Sequence, residues 1–424
     1  IDTLDPLPTT AGSLALKDNL TGRDAPLVAR LRAAGAVVLG KTNLSEWANY
    51  RSTRSMSGWS AMGGLTRNPF GLDRTSCGSS SGSGVAIAAG LAAGAIGTET
   101  DGSVTCPAAM NGVVGLKPTV GLVSRTYVAP ISESQDTAGP MTRTVADAAV
   151  ILTVIAGSDP ADPATREADA RRTDYVRALD PQSLKGARMG VMRMTGRSPQ
   201  TDAVYEKALA SLRAAGAELV EVKTPDLDLI DAAEDEVLRT EFKAGVNAYL
   251  ASTPTAVKTR TLSDLIAFNA AEPRETALFG QELFLQSEKS KGLQDPTYLK
   301  ARADGKHLAG PEGIDRMLAE YKVDVLVAPS GGPASVNDPV NGMRWIGSPS
   351  TLPAVSGYPH LTVPMGNVLG LPVGISFIGP AWSEARLLSL GFAFEQATKA
   401  RIEPTFPRSI AERPEIRTAY DLKQ

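Results

Sequence analysis

Apolar and polar positions fall into blocks whose period changes along the chain. Asp24-Ala-Pro-Leu-Val-Ala-Arg-Leu-Arg-Ala-Ala-Gly-Ala-Val-Val-Leu-Gly-Lys41 predicts an N-capped helix with proline in its first turn, closed at Gly35 and followed by a strand. The same device recurs between Tyr205 and Val222, where Leu212-Arg-Ala-Ala-Gly216 ends a helix and Ala217 to Val222 runs on as a strand. Two helix-to-strand units indicate an α/β protein. Their flanks differ, so they are recurring local physics and not a repeat. Val85 to Gly94 is apolar all round and predicts a helix inside the protein. Val323 to Pro329, Leu361 to Pro364 and Leu371 to Ile378 read as buried strands, and Ser383 to Thr398 as a helix. A polar stretch rich in Asp, Pro and Ala, from Asp159 to Arg177, opens a section of charged amphipathic helices that reaches about Gly310. The expected layout is a core from 1–158 and 311–424, with 159–310 as a mainly helical insertion or cover.

Composition narrows the function. The chain has 424 residues, 42% of them hydrophobic, and 43 Lys+Arg against 46 Asp+Glu give a net charge of -3. Without a block of like charge there is no electrostatic footprint for nucleic acid or anionic lipid, which leaves a small or weakly charged substrate. The longest apolar run, Val85 to Gly97, is 13 residues, too short to span a bilayer. Cys77 and Cys106 are the only cysteines, which excludes a disulfide framework and a multi-cysteine zinc site and leaves a single bridge open. The chain opens on Ile1-Asp2-Thr3, which reads as a cut, with any targeting segment outside it. Compartment and oligomeric state stay open.

From Met56 to Gly84 the apolar period gives way to Gly, Ser, Asn and Pro, a long loop of the kind that usually carries function. Its densest part, Thr75-Ser-Cys-Gly-Ser-Ser-Ser-Gly-Ser-Gly84, fails as a phosphate loop because the required lysine is missing. Gly78-Ser-Ser-Ser-Gly82 formally spells a nucleophile elbow centred on Ser80. An elbow needs a buried strand before it and a histidine partner. Asn68 to Ser76 is turn chemistry, His307 lies among charged residues, and His360 sits at a strand entrance. A plain Gly/Ser linker is the third reading, although linkers rarely run straight into a buried helix. Further on, Gly97-Thr-Glu-Thr-Asp-Gly-Ser-Val-Thr-Cys-Pro107 puts Ser103 after Gly102, where backbone N–H groups could converge as an oxyanion hole requires. Taken alone, this segment reads equally as an ordinary turn.

Together the two segments resemble the amidase signature family. The resemblance rests on Gly78-Ser79-Ser80, Ser103 in its Asp-Gly-Ser setting, Gly115-Leu-Lys-Pro-Thr119, Asp136-Thr-Ala-Gly-Pro140, Gly40-Lys-Thr-Asn43, Gly357-Tyr-Pro and Gly370-Leu-Pro-Val-Gly374. It spans nearly the whole chain and is weakest from about 159 to 310. Cys77-Gly-Ser-Ser-Ser-Gly-Ser83, Thr98 to Ser103 and Cys106-Pro-Ala-Ala109 look most like the bacterial peptide amidase branch. Cys77 replaces a frequent glycine, and Thr105 stands where the family often has arginine.

The resemblance implies one large α/β domain, 1–424, with a mixed, twisted sheet covered by helices on both faces. It implies a serine amidohydrolase acting on linear amides, C-terminal peptide amides among them, with carbamates or aryl amides as alternative substrates. Ser103 would attack the carbonyl, and Ser79, at a cis peptide, would pass the proton to a buried neutral lysine. The backbone N–H groups of Thr100, Asp101, Gly102 and Ser103 would hold the oxyanion. Ser80 would steady the loop, and Cys77 and Cys106 would be small packing residues rather than catalytic ones. No metal or organic cofactor is implied. Lys17-Asp18-Asn19 spells the family's lysine motif, but Ile1-Asp2-Thr3 and Thr9-Thr-Ala-Gly-Ser13 already occupy the places that follow that motif. The base is therefore expected just upstream of Ile1, and Lys17 is disfavoured. A non-catalytic binding subunit on this fold, or an α/β-hydrolase using Ser80 and His360, are the competing classes.

Overall fold

Short aliphatic runs bounded by Gly and Pro pair into one eight-stranded sheet in the computed structural model, which describes residues 1–194, 198–342, 344 and 347–420. In chain order the strands are β1 (Gly94–Glu99), β2 (Val114–Lys117), β3 (Thr137–Thr142), β4 (Arg188–Met192), β5 (Glu218–Val222), β6 (Val325–Pro329), β7 (His360–Val368) and β8 (Leu371–Ile378). Across the sheet they run β1-β3-β2-β7-β8-β6-β4-β5. The β6, β4 and β5 neighbours are parallel and all other pairs antiparallel, so the sheet is mixed. The helices used below are α1 (Pro26–Ala33), α2 (Ser81–Ala88), α3 (Thr105–Met110), α4 (Val145–Ile155), α5 (Pro199–Ala214), α6 (Asp228–Ala251), α7 (Leu262–Ala271), α8 (Glu282–Glu288), α9 (Pro296–Ala309), α10 (Thr351–Ser356) and α11 (Glu384–Thr398).

Strand alternation sends successive side chains to opposite faces. Val325 and Val327 of β6 join the largest core with Leu27 of α1, Leu152 of α4, Leu209 of α5 and Phe394 of α11. Leu326 and Ala328 point the other way, against Ile230 of α6, Ala309 of α9 and Leu352 of α10. Helices therefore cover both faces. Among the described residues no helix is long and apolar enough to cross a membrane.

Three local expectations differ from the fold. The α1 helix forms and Gly35 closes it at φ 88°, but Ala25 is its N-cap, while Asp24 instead pairs with Arg32. The segment after it, 36–41, has no regular structure and no ladder partner among the described residues, and Val37 and Leu39 are 80% and 74% exposed. Sequence pattern proposes a strand, but a neighbour has to complete it. The Val85–Gly94 run divides: α2 begins earlier, at Ser81, and ends at Ala88, then Gly90 turns at φ 74° and β1 starts at Gly94. Full register with β3, from Gly94–Thr142 to Glu99–Thr137, overrides the helical reading of an Ala/Gly stretch that has no period of its own. Finally, 159–310 is more than a cover, because β4 and β5 extend the core sheet and only the part from α6 to α9 is wholly helical.

Candidate active site

The serine-rich loop leaves a two-stranded hairpin, Arg67–Asn68 with Gly71–Thr75, that stands apart from the main sheet. No core strand feeds Ser80, so the elbow arrangement is absent. After the hairpin, Cys77 takes a left-handed φ of 54°, and the Gly78–Ser79 peptide is cis. The four serines that follow divide by role. Ser80 Oγ donates to the Thr98 carbonyl and accepts the Thr98 N–H, both at 3.0 Å, which ties the loop to β1. Ser81 Oγ donates to the Cys77 carbonyl at 2.6 Å and Ser83 Oγ to the Ile96 carbonyl at 2.9 Å. Ser79 is buried, its carbonyl accepts the Ser45 N–H at 3.0 Å, and its hydroxyl makes no hydrogen bond to a described residue.

Ser103 lies in the turn between β1 and α3. Gly102 turns there at φ 73°, a conformation that favours glycine, and an added Cβ would stand 3.0 Å from Ser350 Oγ, which would have to give by a few tenths of an ångström. Glu99, the last residue of β1, fixes the far side of the turn. Its Oε2 accepts the N–H groups of Val104 and Thr105 at 2.8 and 2.9 Å and the Thr105 hydroxyl at 3.2 Å. On the near side Thr100 Oγ1 donates to Asp136 Oδ1 at 2.6 Å, and Thr351 Oγ1 donates to Asp101 Oδ2 at 3.1 Å. With these anchors in place, the N–H groups of Asp101, Gly102 and Ser103 have no acceptor among the described residues. The Ser103 hydroxyl is likewise without a hydrogen bond, and none joins it to Ser79.

Two links bring the serine segments together. Ser80 N–H donates to the Ser103 carbonyl at 3.1 Å. Cys77 and Cys106, expected as small packing residues with a single bridge left open, form that bridge; 29 residues of sequence hide a Cα separation of 6.0 Å.

Burial controls the charges nearby. Asp136 accepts the N–H groups of Ile131 and Ser132 at 2.8 and 2.9 Å, yet desolvation raises its pKa to about 6. Desolvation and the neighbouring Glu99 also raise Asp101. Lys117, at the end of β2, is fully buried, with Nζ donating to the Pro118 carbonyl at 3.2 Å, and burial lowers its pKa to about 8. His360, paired opposite it on β7, bonds Ser376 Oγ at 2.6 Å and is pushed down to about 3 by burial and Lys117. His307 is exposed. Neither histidine bonds Ser80, so the α/β-hydrolase arrangement is not formed. Lys17 is exposed after a short 3-10 turn. Glu99 and Lys117 lie inside the sequence motifs, but nothing in the residue pattern marks either as buried beside the turn; a lone acid three to six residues before a helix start is the only sign of Glu99.

The family model described as Amidase matches residues 3–388. A peptide amidase from Stenotrophomonas maltophilia superposes with a TM-score of 0.91 at 53% identity, covering 96% of this chain and 82% of that one. A probable amidase of Arabidopsis thaliana is 40% identical over 96% of this chain and 76% of its own length. A putative amidase of Schizosaccharomyces pombe is 34% identical over 96% of this chain and 74% of its own. The chain belongs to the Amidase family. It is a hydrolase acting on carbon–nitrogen bonds of linear amides, and its structural neighbours include bacterial peptide amidase.

Proposed function

We propose that this enzyme cleaves C-terminal peptide amides through an acyl-enzyme on Ser103, with Ser79 as proton relay. The observation that carries the reading is that, among the described residues, the N–H groups of Asp101, Gly102 and Ser103 have no acceptor and the hydroxyls of Ser79 and Ser103 make no hydrogen bond, while the Ser80 N–H ties the Ser79 loop to the Ser103 carbonyl at 3.1 Å. Ser103 Oγ attacks the amide carbon, and its proton passes to Ser79 as the Ser79 proton moves to an amine base. The N–H groups of Thr100 to Ser103 hold the oxyanion, an interaction worth roughly 3–4 kcal/mol per donor. Collapse expels the amine, which takes a proton back through Ser79, and water then hydrolyses the ester by the reverse path. The peptide substrate is suggested by the Stenotrophomonas peptide amidase.

The base in this reading is a lysine immediately before Ile1, and the exposure of Lys17 is in line with that. A second reading assigns the base to Lys117, because it is the one lysine buried among the described residues and its pKa of about 8 suits a neutral amine. The cleft would be shaped by the loop 52–62 and the helical section. Ser52 and Thr53 donate to Glu282 of α8 at 2.7 and 2.9 Å, and Trp59 packs edge-on against Phe279 at 5.2 Å.

A hydrolysis screen over peptide amides, aliphatic amides, anilides and carbamates tests the substrate. Fastest turnover of peptide amides is expected, and turnover of anilides or carbamates alone would replace that assignment. Lys17→Ala should leave activity near normal. Loss of the alkaline pH dependence of kcat in a folded Lys117→Met variant would favour the second reading for the base.

A further inference from the structure

The Cys77–Cys106 bridge connects the two segments on which the proposed chemistry depends. Cys77 precedes Ser79 by two residues and Cys106 follows Ser103 by three, so the covalent link runs from one serine's loop to the other's turn. Its surroundings suggest what it is for. The two sulfurs lie in a small cluster with only Met110 and Ala334, outside the large cores that hold the sheet and helices together. Cys77 is held in a left-handed conformation directly before the Gly78–Ser79 peptide, and Cys106 N–H donates to the Gly102 carbonyl at 2.8 Å, within the turn that presents Ser103. Of the polar links across this gap, Asn111 Nδ2 reaches the Ser76 carbonyl at 2.9 Å, and the Ser80 N–H reaches the Ser103 carbonyl at 3.1 Å. Each is a single hydrogen bond, which tolerates displacement. A disulfide does not.

We infer that this disulfide is a positioning device for catalysis, setting the distance between the Ser79 loop and the Ser103 turn. The inference rests on the proposed roles of those serines. The cysteines touch no reacting atom in it; they act through the residues on either side. Misplacing a reacting group by about 1 Å can cost on the order of a hundredfold in rate, so loss of the bridge acts on kcat before it acts on the fold. Substrate affinity, set by the surrounding cleft, changes little.

The test compares oxidised wild type with Cys77→Ala/Cys106→Ala, well below the unfolding temperature, by kcat, KM, circular dichroism and the rate at which a fluorophosphonate phosphonylates the serine with loss of fluoride. The expected result is a fall in kcat and phosphonylation rate of roughly tenfold or more, equivalent to about 1.4 kcal/mol, with KM within about threefold and an unchanged spectrum. Should the variant not fold, wild type is treated with a trialkylphosphine. That reagent takes oxygen from water to become the phosphine oxide, breaks the S–S bond and leaves two thiols, which mass spectrometry counts after alkylation, and the same loss of kcat is expected. A variant or reduced enzyme that keeps wild-type kcat, and differs only in melting temperature, would overturn the inference and leave the amidase reading intact. Oxidised wild type that neither hydrolyses any amide nor takes up the fluorophosphonate would overturn both.

Discussion

Ser80 donates its backbone N–H to the carbonyl of Ser103 at 3.1 Å, so the first turn of α2 and the turn leading into α3 share a hydrogen bond. The residue between the cis peptide and α2 is thus occupied structurally on both counts, since its hydroxyl is also bound to Thr98 at 3.0 Å. Among the described residues, Ser79 and Ser103 are the serines of these two segments whose hydroxyls make no hydrogen bond, and the proposed chemistry is assigned to them for that reason.

Gly102→Ala should separate folding from turnover. The left-handed φ of 73° costs a non-glycine residue about 1–2 kcal/mol, and the new Cβ would press on Ser350 Oγ at 3.0 Å. In the proposed mechanism the turn would relax by moving its N–H groups off the oxyanion. A loss of kcat/KM of about a hundredfold, with a melting point only a few degrees lower, is expected from steady-state kinetics and thermal melts.

Asp136 supplies an acid-side pH dependence. Desolvation raises its folded pKa from 3.8 to about 6, so the folded state binds its proton more tightly than the unfolded chain does. The contribution of this group to stability is therefore full below about pH 4 and is lost as pH rises through about 6. Activity moves the opposite way, because the carboxylate is the form that accepts from Ile131, Ser132 and Thr100 together. Profiles of kcat/KM should rise through about pH 6, and Asp136→Asn should flatten that limb; a limb that persists in the variant would point to another group.

Lys117 gives a second linkage test. Its folded pKa is lowered by burial from 10.5 to about 8, so between those values the unfolded chain binds more protons than the folded one. Stability should rise with pH across that window in wild type and stay level in Lys117→Met, a difference measured by denaturant titration at pH 7.5 and 10. Parallel curves would mean that the amine is charged in the fold.

What could be read in the sequence follows physical lines. Leu371 to Ile378 was legible as a strand to the residue because Leu371, Val373, Ile375 and Phe377 alternate with Pro372, Gly374 and Ser376 between Gly370 and Gly379, a period of two. The family was legible through the spacing of the motifs that contain Ser79 and Ser103, and the turn at Gly102 through the glycine that permits it. The 94–99 strand was not, since Gly and Ala carry no period-two signal and only pairing with β3 decides their state. The disulfide depends on two loops meeting in space, and the burial of Lys117 depends on β7 lying beside β2. No local pattern encodes either.

The proposed mechanism makes Ser103 the residue acylated. The most direct measurement is peptide-level mass spectrometry of the fluorophosphonate-treated enzyme, with Ser103→Ala as its companion. A single adduct on Ser103, absent from a folded Ser103→Ala variant that has lost turnover, is the predicted result. An adduct on Ser80, or undiminished hydrolysis by Ser103→Ala, would put the nucleophile elsewhere.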